Sequence, residues 1–165
     1  MKIEQYTVNV LKNFSIINPT IIINEGSVLE TISISKTIKA TATVPTVFPR
    51  RFALYNLNKF IATLSLFDDP DVEFGENAII VTDGQRTVHI TYSDESVVTK
   101  MPEKEPVLPS VDVTTTVTTD QLKEIEKALG ILDVPEIVIS GRGGKIYLEA
   151  RNTTNDLDYY SIVLG

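Results

Sequence analysis

The sequence predicts an α+β fold built from repeated βαβββ units, with helices on one face and antiparallel sheets on the other. Three observations point there. The first is a repeat. The stretch V-L-K-N-F-S-I-I-N-P-T-I-I-I-N-E-G around Leu11 returns in kind as Q-L-K-E-I-E-K-A-L-G-I-L-D-V-P-E-I-V-I-S-G around Leu122. Each copy is an apolar helical stripe, a proline, a short β-branched strand and a glycine turn, and such self-similarity marks copies of one supersecondary unit. The second is the hydrophobic period, which switches back and forth between helical spacing and strict alternation. The third is the presence of one helix for each run of strands, the composition of a two-layer α+β arrangement. The 165 residues divide into three such passes.

In the first pass Thr7, Val10, Leu11, Phe14 and Ile17 recur at helical spacing and set one stripe against a core, leaving Asn9, Lys12 and Asn13 on the other side. After Pro19 the rhythm becomes that of strands, over 21–23, 29–34 and 38–44. In the last of these, Ile38, Ala40, Ala42 and Val44 alternate with Lys39, Thr41 and Thr43, which means one buried and one wet face. Pro45 and Pro49 are expected to close the pass.

The second pass opens at Asn56, a good N-cap. Leu57, Phe60, Ile61, Leu64 and Phe67 form its stripe, and Asn58, Lys59, Ala62 and Thr63 its far side. The D-D-P-D turn at 68–71 stops the helix, because proline cannot continue it. Strands are expected over 72–74, 78–82 and 87–92, with Asp83-Gly84 as a hairpin turn. The two helices of these passes are expected to pack roughly parallel over one core.

Residues 97–109 differ in kind, with Pro102, Pro106 and Pro109 among charges and no apolar period, so they read as an extended connector. The expected division is 1–98 as a first domain of two units, 99–110 as connector and 111–165 as half of a second domain. The third pass starts with a strand over 111–117 and a capping box, Thr118 with Gln121. Leu122, Ile125, Leu129 and Leu132 make its stripe, Gly130 is the expected C-cap, and strands follow over 137–140, 145–150 and 160–164.

Composition narrows the function classes. The chain has 42% hydrophobic and 22% charged residues, the balance of a globular domain with a sizeable core. It has no cysteine, so neither disulfides nor thiolate chemistry are available. The N-terminus lacks a signal segment, and no apolar run approaches membrane-spanning length. A net charge of −7 argues against a generally basic nucleic-acid binder while leaving room for a few lysines gathered on one face.

A search for chemistry returns no catalytic residue, metal site or cofactor site. His89, the only histidine, alternates with Val88 and Ile90 in a strand and has no second histidine with which to share a metal. G-R-G-G-K at 141–145 has the composition of a phosphate loop but lies between two strands, where a hairpin is expected. Asp68, Asp69 and Asp71 lack the frame of a calcium loop. Hydroxyls are plentiful, yet none comes with a base in a recognisable frame, so the chain reads as one that performs no covalent chemistry.

T-V-N-V-L-K-N-F-S-I-I-N followed by I-I-I-N-E-G resembles the opening of the sliding clamps encoded by large tailed bacteriophages of the myovirus type. L-Y-N-L-N-K-F-I-A-T-L-S-L-F, over 54–67, resembles the second helix of their first domain, where x-Y-D-L-N-x-F-L-x-x-L-S-L is typical. The closing Y-Y-S-I-V-L-G is similar to a strand midway through their second domain, so the likeness runs end to end in the right order. It implies a DNA-clamp fold with one complete domain and half of a second, C-terminally incomplete relative to the family. It also implies a non-catalytic processivity factor that encircles duplex DNA and tethers the replicative polymerase.

In such rings, head-to-tail trimers in the family, helices line the hole and strands form the outside. That implies a DNA-facing role for Lys12, Lys59, Lys123, Lys127, Asn9, Asn13 and Thr63, as loose sequence-independent contacts to phosphates. The plainer reading is a solvated helix face, and Glu124 and Glu126 dilute the third-pass pair. No aromatic residue is interleaved with these lysines, so base stacking on single strands is not expected. The family also has a hydrophobic pocket near the connector for peptides of the polymerase and clamp loader. Val107 and Leu108 either form one lip of it or simply pin the connector.

The lone third unit predicts a homodimer through 111–165 in place of the family ring, with the flank of Leu122, Ile125 and Leu129 exposed until paired. The resemblance places the protein in the cytoplasm of an infected bacterial host. The rival reading from another class is a phage structural or adhesin module with no DNA role.

Overall fold

The computed structural model describes residues 1–102, 110, 113–155 and 157–164. The chain forms two compact units, 1–105 and 106–165, each described by itself below.

Unit 1 begins with helix α1, Gln5–Ile17, whose Leu11 and Phe14 are buried. Its first turn is tied down by Thr46, whose hydroxyl oxygen accepts from the Glu4 N–H at 3.1 Å and from the Thr7 hydroxyl at 2.8 Å. Asn18 ends the helix. Its buried amide donates to the Ile32 carbonyl at 2.7 Å, while its oxygen accepts from the Thr20 N–H and hydroxyl at 2.9 and 3.0 Å. A buried amide so fully used fixes both the helix stop and the direction of the next strand.

Strands β1 (Ile21–Ile23), β2 (Gly26–Ile32), β3 (Lys39–Phe48) and β4 (Phe52–Leu54) follow. Helix α2, Leu57–Leu64, is capped by the Asn56 side chain, which accepts from the Lys59 N–H at 2.9 Å. Strands β5 (Asp71–Phe74), β6 (Ala78–Thr82) and β7 (Thr87–Thr91) complete the second pass, and Glu95–Val97 is a 3-10 turn.

Two expectations fail here. Pro45 does not close the first pass. It sits inside β3, where the ladder to β2 shifts register between Gly26↔Phe48 and Val28↔Thr43, and a proline is tolerated at such an irregularity because no ladder N–H is needed. β4 was not foreseen, since three residues are too few to show a period.

Leu11, Phe14, Phe60, Ile61 and Leu64 share one buried core with Leu29, Phe48, Val72 and Ile79. The helices run antiparallel rather than parallel. The Leu57 N–H donates to the Pro19 carbonyl, placing the start of α2 at the end of α1, while Val8 near the start of α1 shares a cleft with Leu64 and Ser65 at the end of α2. At one edge of the core Phe48, Phe52, Phe74 and Tyr92 pack ring to ring at 5.2–6.1 Å, in tilted and edge contacts.

The two passes are woven together reciprocally. The strand before α2 covers the strand after α1, with Ile21↔Leu54, Ile22↔Ala53 and Ile23↔Phe52 in register. The segment before α1 covers the strand after α2, through Met1 N to Val72 O at 2.8 Å and Val72 N to Met1 O at 2.7 Å. Each half therefore closes the edge that the other leaves open, the arrangement of a pseudo-two-fold.

Among its described residues unit 2 has one helix, α3 (Thr119–Leu132), and one sheet of β8 (Glu136–Arg142), β9 (Lys145–Arg151) and β10 (Tyr159–Val163) in the order β10-β9-β8. The capping box forms as expected, with Thr118 accepting from the Gln121 N–H and the Gln121 side chain accepting from the Thr118 N–H. The G-R-G-G-K stretch is a hairpin whose turn, Gly143-Gly144, has positive φ at both positions, as a type I′ turn requires.

Gly130 is not the C-cap. The helix runs on to Leu132, and Asp133 takes the left-handed cap position at φ 52°. Residues 113–117 carry no regular strand, and 111–112 lie outside the described residues. The expected exposed flank is also redrawn. Ile125 is fully buried with Ala128, Leu148 and Ala150, Leu129 is half-buried against that core, and Leu122 stays exposed.

Candidate nucleic-acid interface

The exposed faces of α1 and α2 are built from few residue types. Their apolar stripes turn inward for the reasons given above, which leaves Asn9, Lys12 and Asn13 outward on α1 and Asn58, Lys59 and Ala62 outward on α2. Gln5 joins the α1 face by donating to Asn9 Oδ1 at 3.1 Å. Lys12 lines a cleft of about 500 Å³ together with Ile61 and Leu64, at whose border Lys2, Glu4, Asp68 and Asp69 also stand. Thr63 departs from expectation. It is buried, and its hydroxyl donates to the Lys59 carbonyl at 2.8 Å, because its place on the wheel falls between Lys59 and Phe60, at the border of the apolar stripe. It leaves the candidate set.

The electrostatics of these faces set them apart from the rest of unit 1. Neither α1 nor α2 contains an aspartate or glutamate, and each carries one lysine. The carboxylates of unit 1 lie in its strands and turns, among them Glu30, Glu73, Asp83 and Glu95. Several are already paired there: Glu30 with Lys39 at 3.6 Å, Asp83 with Arg86 at 2.6 Å and Glu95 with Arg51 at 2.7 Å. In a chain of net charge −7 this leaves a weakly cationic, amide-rich helical surface.

Unit 2 is different. Lys123 and Lys127 are exposed on α3, but Asp120, Glu124 and Glu126 share that helix. Glu124 accepts a hydrogen bond from the Tyr160 hydroxyl, which pushes the phenol's pKa up. Val107 and Leu108 lie outside the described residues. His89 is exposed on β7 opposite Ile80, and the described residues contain no cluster of three metal-ligating side chains. Among them, too, no helix is long and apolar enough to cross a membrane.

Sequence reasoning missed the polar cluster on the other face of unit 2. Glu149 is 0% exposed, and its carboxylate accepts from Ser140 at 2.9 Å, Ser161 at 3.2 Å, Arg142 at 2.8 Å and Arg151 at 3.3 Å. Burial alone pushes the Glu149 carboxyl up, yet the donors led by Arg142 and Ser140 outweigh it and hold the group below the usual carboxylate range. The donors come from three strands, so no linear motif announces them.

The family model of DNA polymerase processivity factors matches residues 2–100. The sliding clamp of Escherichia phage RB69 is 30% identical over 159 residues, spanning 94% of this chain and 69% of that protein. The sliding clamp of Vibrio phage KVP40 is 32% identical over 148 residues, spanning 87% of this chain and 66% of that one. Among solved structures, the PCNA2–PCNA3 complex of Sulfolobus tokodaii superposes with a TM-score of 0.59 at 18% identity, over 96% of this chain and 68% of that one. At that identity the likeness is one of fold, and it agrees with the clamp-like α+β architecture.

Proposed function

The chain belongs to the DNA polymerase processivity factor family, and on that premise we propose that the α1 and α2 faces of unit 1 are its sliding surface on duplex DNA. As a sliding clamp it is not an enzyme, and its action is mechanical and electrostatic. Lys12 and Lys59 each displace condensed counterions from the phosphate backbone, and Asn9, Asn13 and Gln5 offer amides that reach phosphates directly or through water. Such contacts carry no base information, so the protein holds any sequence equally well and moves along it at little cost. Carboxylates kept on strands and turns discourage binding elsewhere on unit 1.

The observation that carries this reading is the absence of any carboxylate from both unit 1 helices in an otherwise acidic chain. We assign Lys123 and Lys127 a minor part, because α3 bears three acids against its two lysines. The partners that follow from the function are the replicative polymerase tethered by the clamp, a loader that seats it, and further copies of the chain. Their place of work is the cytoplasm of the infected bacterium. A phage structural or adhesin module is not favoured, since the family match over residues 2–100 is to a replication factor.

The test is duplex binding at low salt by fluorescence anisotropy. Replacing Lys12 and Lys59 together by glutamate is expected to weaken binding about tenfold or more and to flatten the salt dependence by roughly two contacts, equally on unrelated sequences. The Lys123→Glu, Lys127→Glu pair is expected to change it by less than about threefold. Equal effects of the two pairs, or an effect confined to one sequence, would remove the assignment.

A further inference from the structure

The face of the unit 2 sheet turned away from α3 gathers cations around one recess. Along β9, Lys145, Tyr147, Glu149 and Arg151 alternate with Ile146, Leu148 and Ala150, of which Leu148 and Ala150 are buried on the α3 side. Arg142 of β8 pairs with Lys145, and Tyr159 of β10 pairs with Arg151, so both join that outer face. Its strands carry three cations, Arg142, Lys145 and Arg151, against two carboxylates, Glu136 and Glu149, in a chain of net charge −7. Glu136 accepts from the Thr153 N–H at 2.8 Å. Arg142, Glu149, Arg151 and Tyr159 line a recess of about 190 Å³. That is room for one small group, well below the roughly 300–1,000 Å³ of a pocket for drug-sized ligands.

We propose that this recess binds a phosphate group between the guanidiniums of Arg142 and Arg151, with the exposed Tyr159 beside it. The two guanidiniums are held in place before any ligand arrives. Arg142 reaches Glu149 Oε1 at 2.8 Å and lies over the Tyr147 ring at 4.1 Å, and Arg151 reaches Glu149 Oε2 at 3.3 Å. Glu149 is 0% exposed and its oxygens also accept from Ser140 and Ser161, so its one charge offsets one guanidinium and leaves the recess positive. Donors ordered in advance lower the cost of binding an anion. A guanidinium carries more N–H donors than one carboxylate oxygen takes up, and the Arg142 side chain is 49% exposed, so its fork is accessible to a second acceptor. Two forks on one recess suit the several oxygens of a phosphate better than a single carboxylate, which one fork already matches. The group is either a free phosphate or a phosphate of a single strand whose base stacks on Tyr159, which is 56% exposed. This inference goes beyond the sliding surface and does not rest on it, since it uses unit 2 alone.

The test is an NMR titration of the full chain with sodium phosphate, against sodium chloride at matched ionic strength. The guanidinium signals of Arg142 and Arg151 are expected to shift and saturate with phosphate and not with chloride. Arg142→Gln is expected to weaken phosphate binding at least about tenfold while circular dichroism shows the fold retained. Should that variant unfold unit 2, Arg142→Lys carries the test: it keeps the charge opposite Glu149 but loses the fork, and is expected to weaken binding about threefold or more. A short single-stranded oligonucleotide separates the two sources, added to the Lys12→Glu, Lys59→Glu chain so that the sliding surface does not contribute. Binding tighter than that of inorganic phosphate, and weakened by Tyr159→Ala, supports the site with a nucleic-acid strand as its ligand. Binding of inorganic phosphate alone supports it with the free anion as its ligand. No saturation with phosphate, an equal response to chloride, or a folded Arg142 variant that binds as tightly as the parent would each overturn the proposal.

Discussion

Glu149 shows how much one side chain can hold in a small unit. Its buried carboxylate gathers Ser140 and Arg142 from β8, Arg151 from its own strand and Ser161 from β10, so all three strands meet at one charge. Removing a buried hydrogen-bonded charge leaves its partners unmatched, so Glu149→Ala is expected to destabilise unit 2 by about 3 kcal/mol in urea unfolding. A carboxyl held below its unfolded pKa stabilises above the unfolded value and loses that contribution as pH falls, so wild-type unit 2 should weaken in acid more than the variant. Asp83 offers a second titration. Its carboxyl is lowered to about 2, first by the Arg86 N–H at 2.7 Å, then by the Arg86 guanidinium and the Gln85 N–H at 3.0 Å. The β6–β7 turn should therefore stay closed as pH falls past the ordinary carboxylate range and open only near pH 2. Asp83→Asn should abolish that step in an NMR titration of the Arg86 side chain. At this scale the sequence was legible where a residue's exposure follows from helical spacing, as for the outward placement of Lys12 and Lys59. It was not legible for Glu149, whose donors meet only after strands pair, nor for Thr63, where one position on the wheel decides between core and surface.

Elements read well where local chemistry governs them. The capping box of α3 is a four-residue signal, and it forms. Thr118→Ala removes the acceptor for the Gln121 N–H and is expected to cost about 1 kcal/mol, measurable as a lower unfolding midpoint. The three helices and the glycine hairpin were likewise visible in period and punctuation. Boundaries were harder wherever a distant partner sets them. α3 passes through Gly130 because Asp133 takes the left-handed cap, with the Val134 N–H returning to the Leu129 carbonyl. β3 passes through Pro45 because the ladder is already irregular there. β4 exists only because β1 lies beside it, which no window of three residues can reveal.

At the scale of the whole molecule the two units differ most in the depth of their cores. Unit 1 gathers two helical stripes and three small sheets around Leu11, Phe48, Phe60 and Ile79, whereas the buried apolar core described in unit 2 is Ile125, Ala128, Leu148 and Ala150. A unit of about 60 residues buries only about 60% of its unfolded surface and is marginal alone. Two passes close on each other in unit 1, whereas the described residues of unit 2 contain one helix and one three-stranded sheet. Thermal unfolding is therefore expected to show two transitions, the first belonging to unit 2. Leu148→Ala should lower only the first and Phe60→Ala only the second, each truncation costing about 2–5 kcal/mol in its own unit. A single transition shifted by both substitutions would mean that the units fold as one.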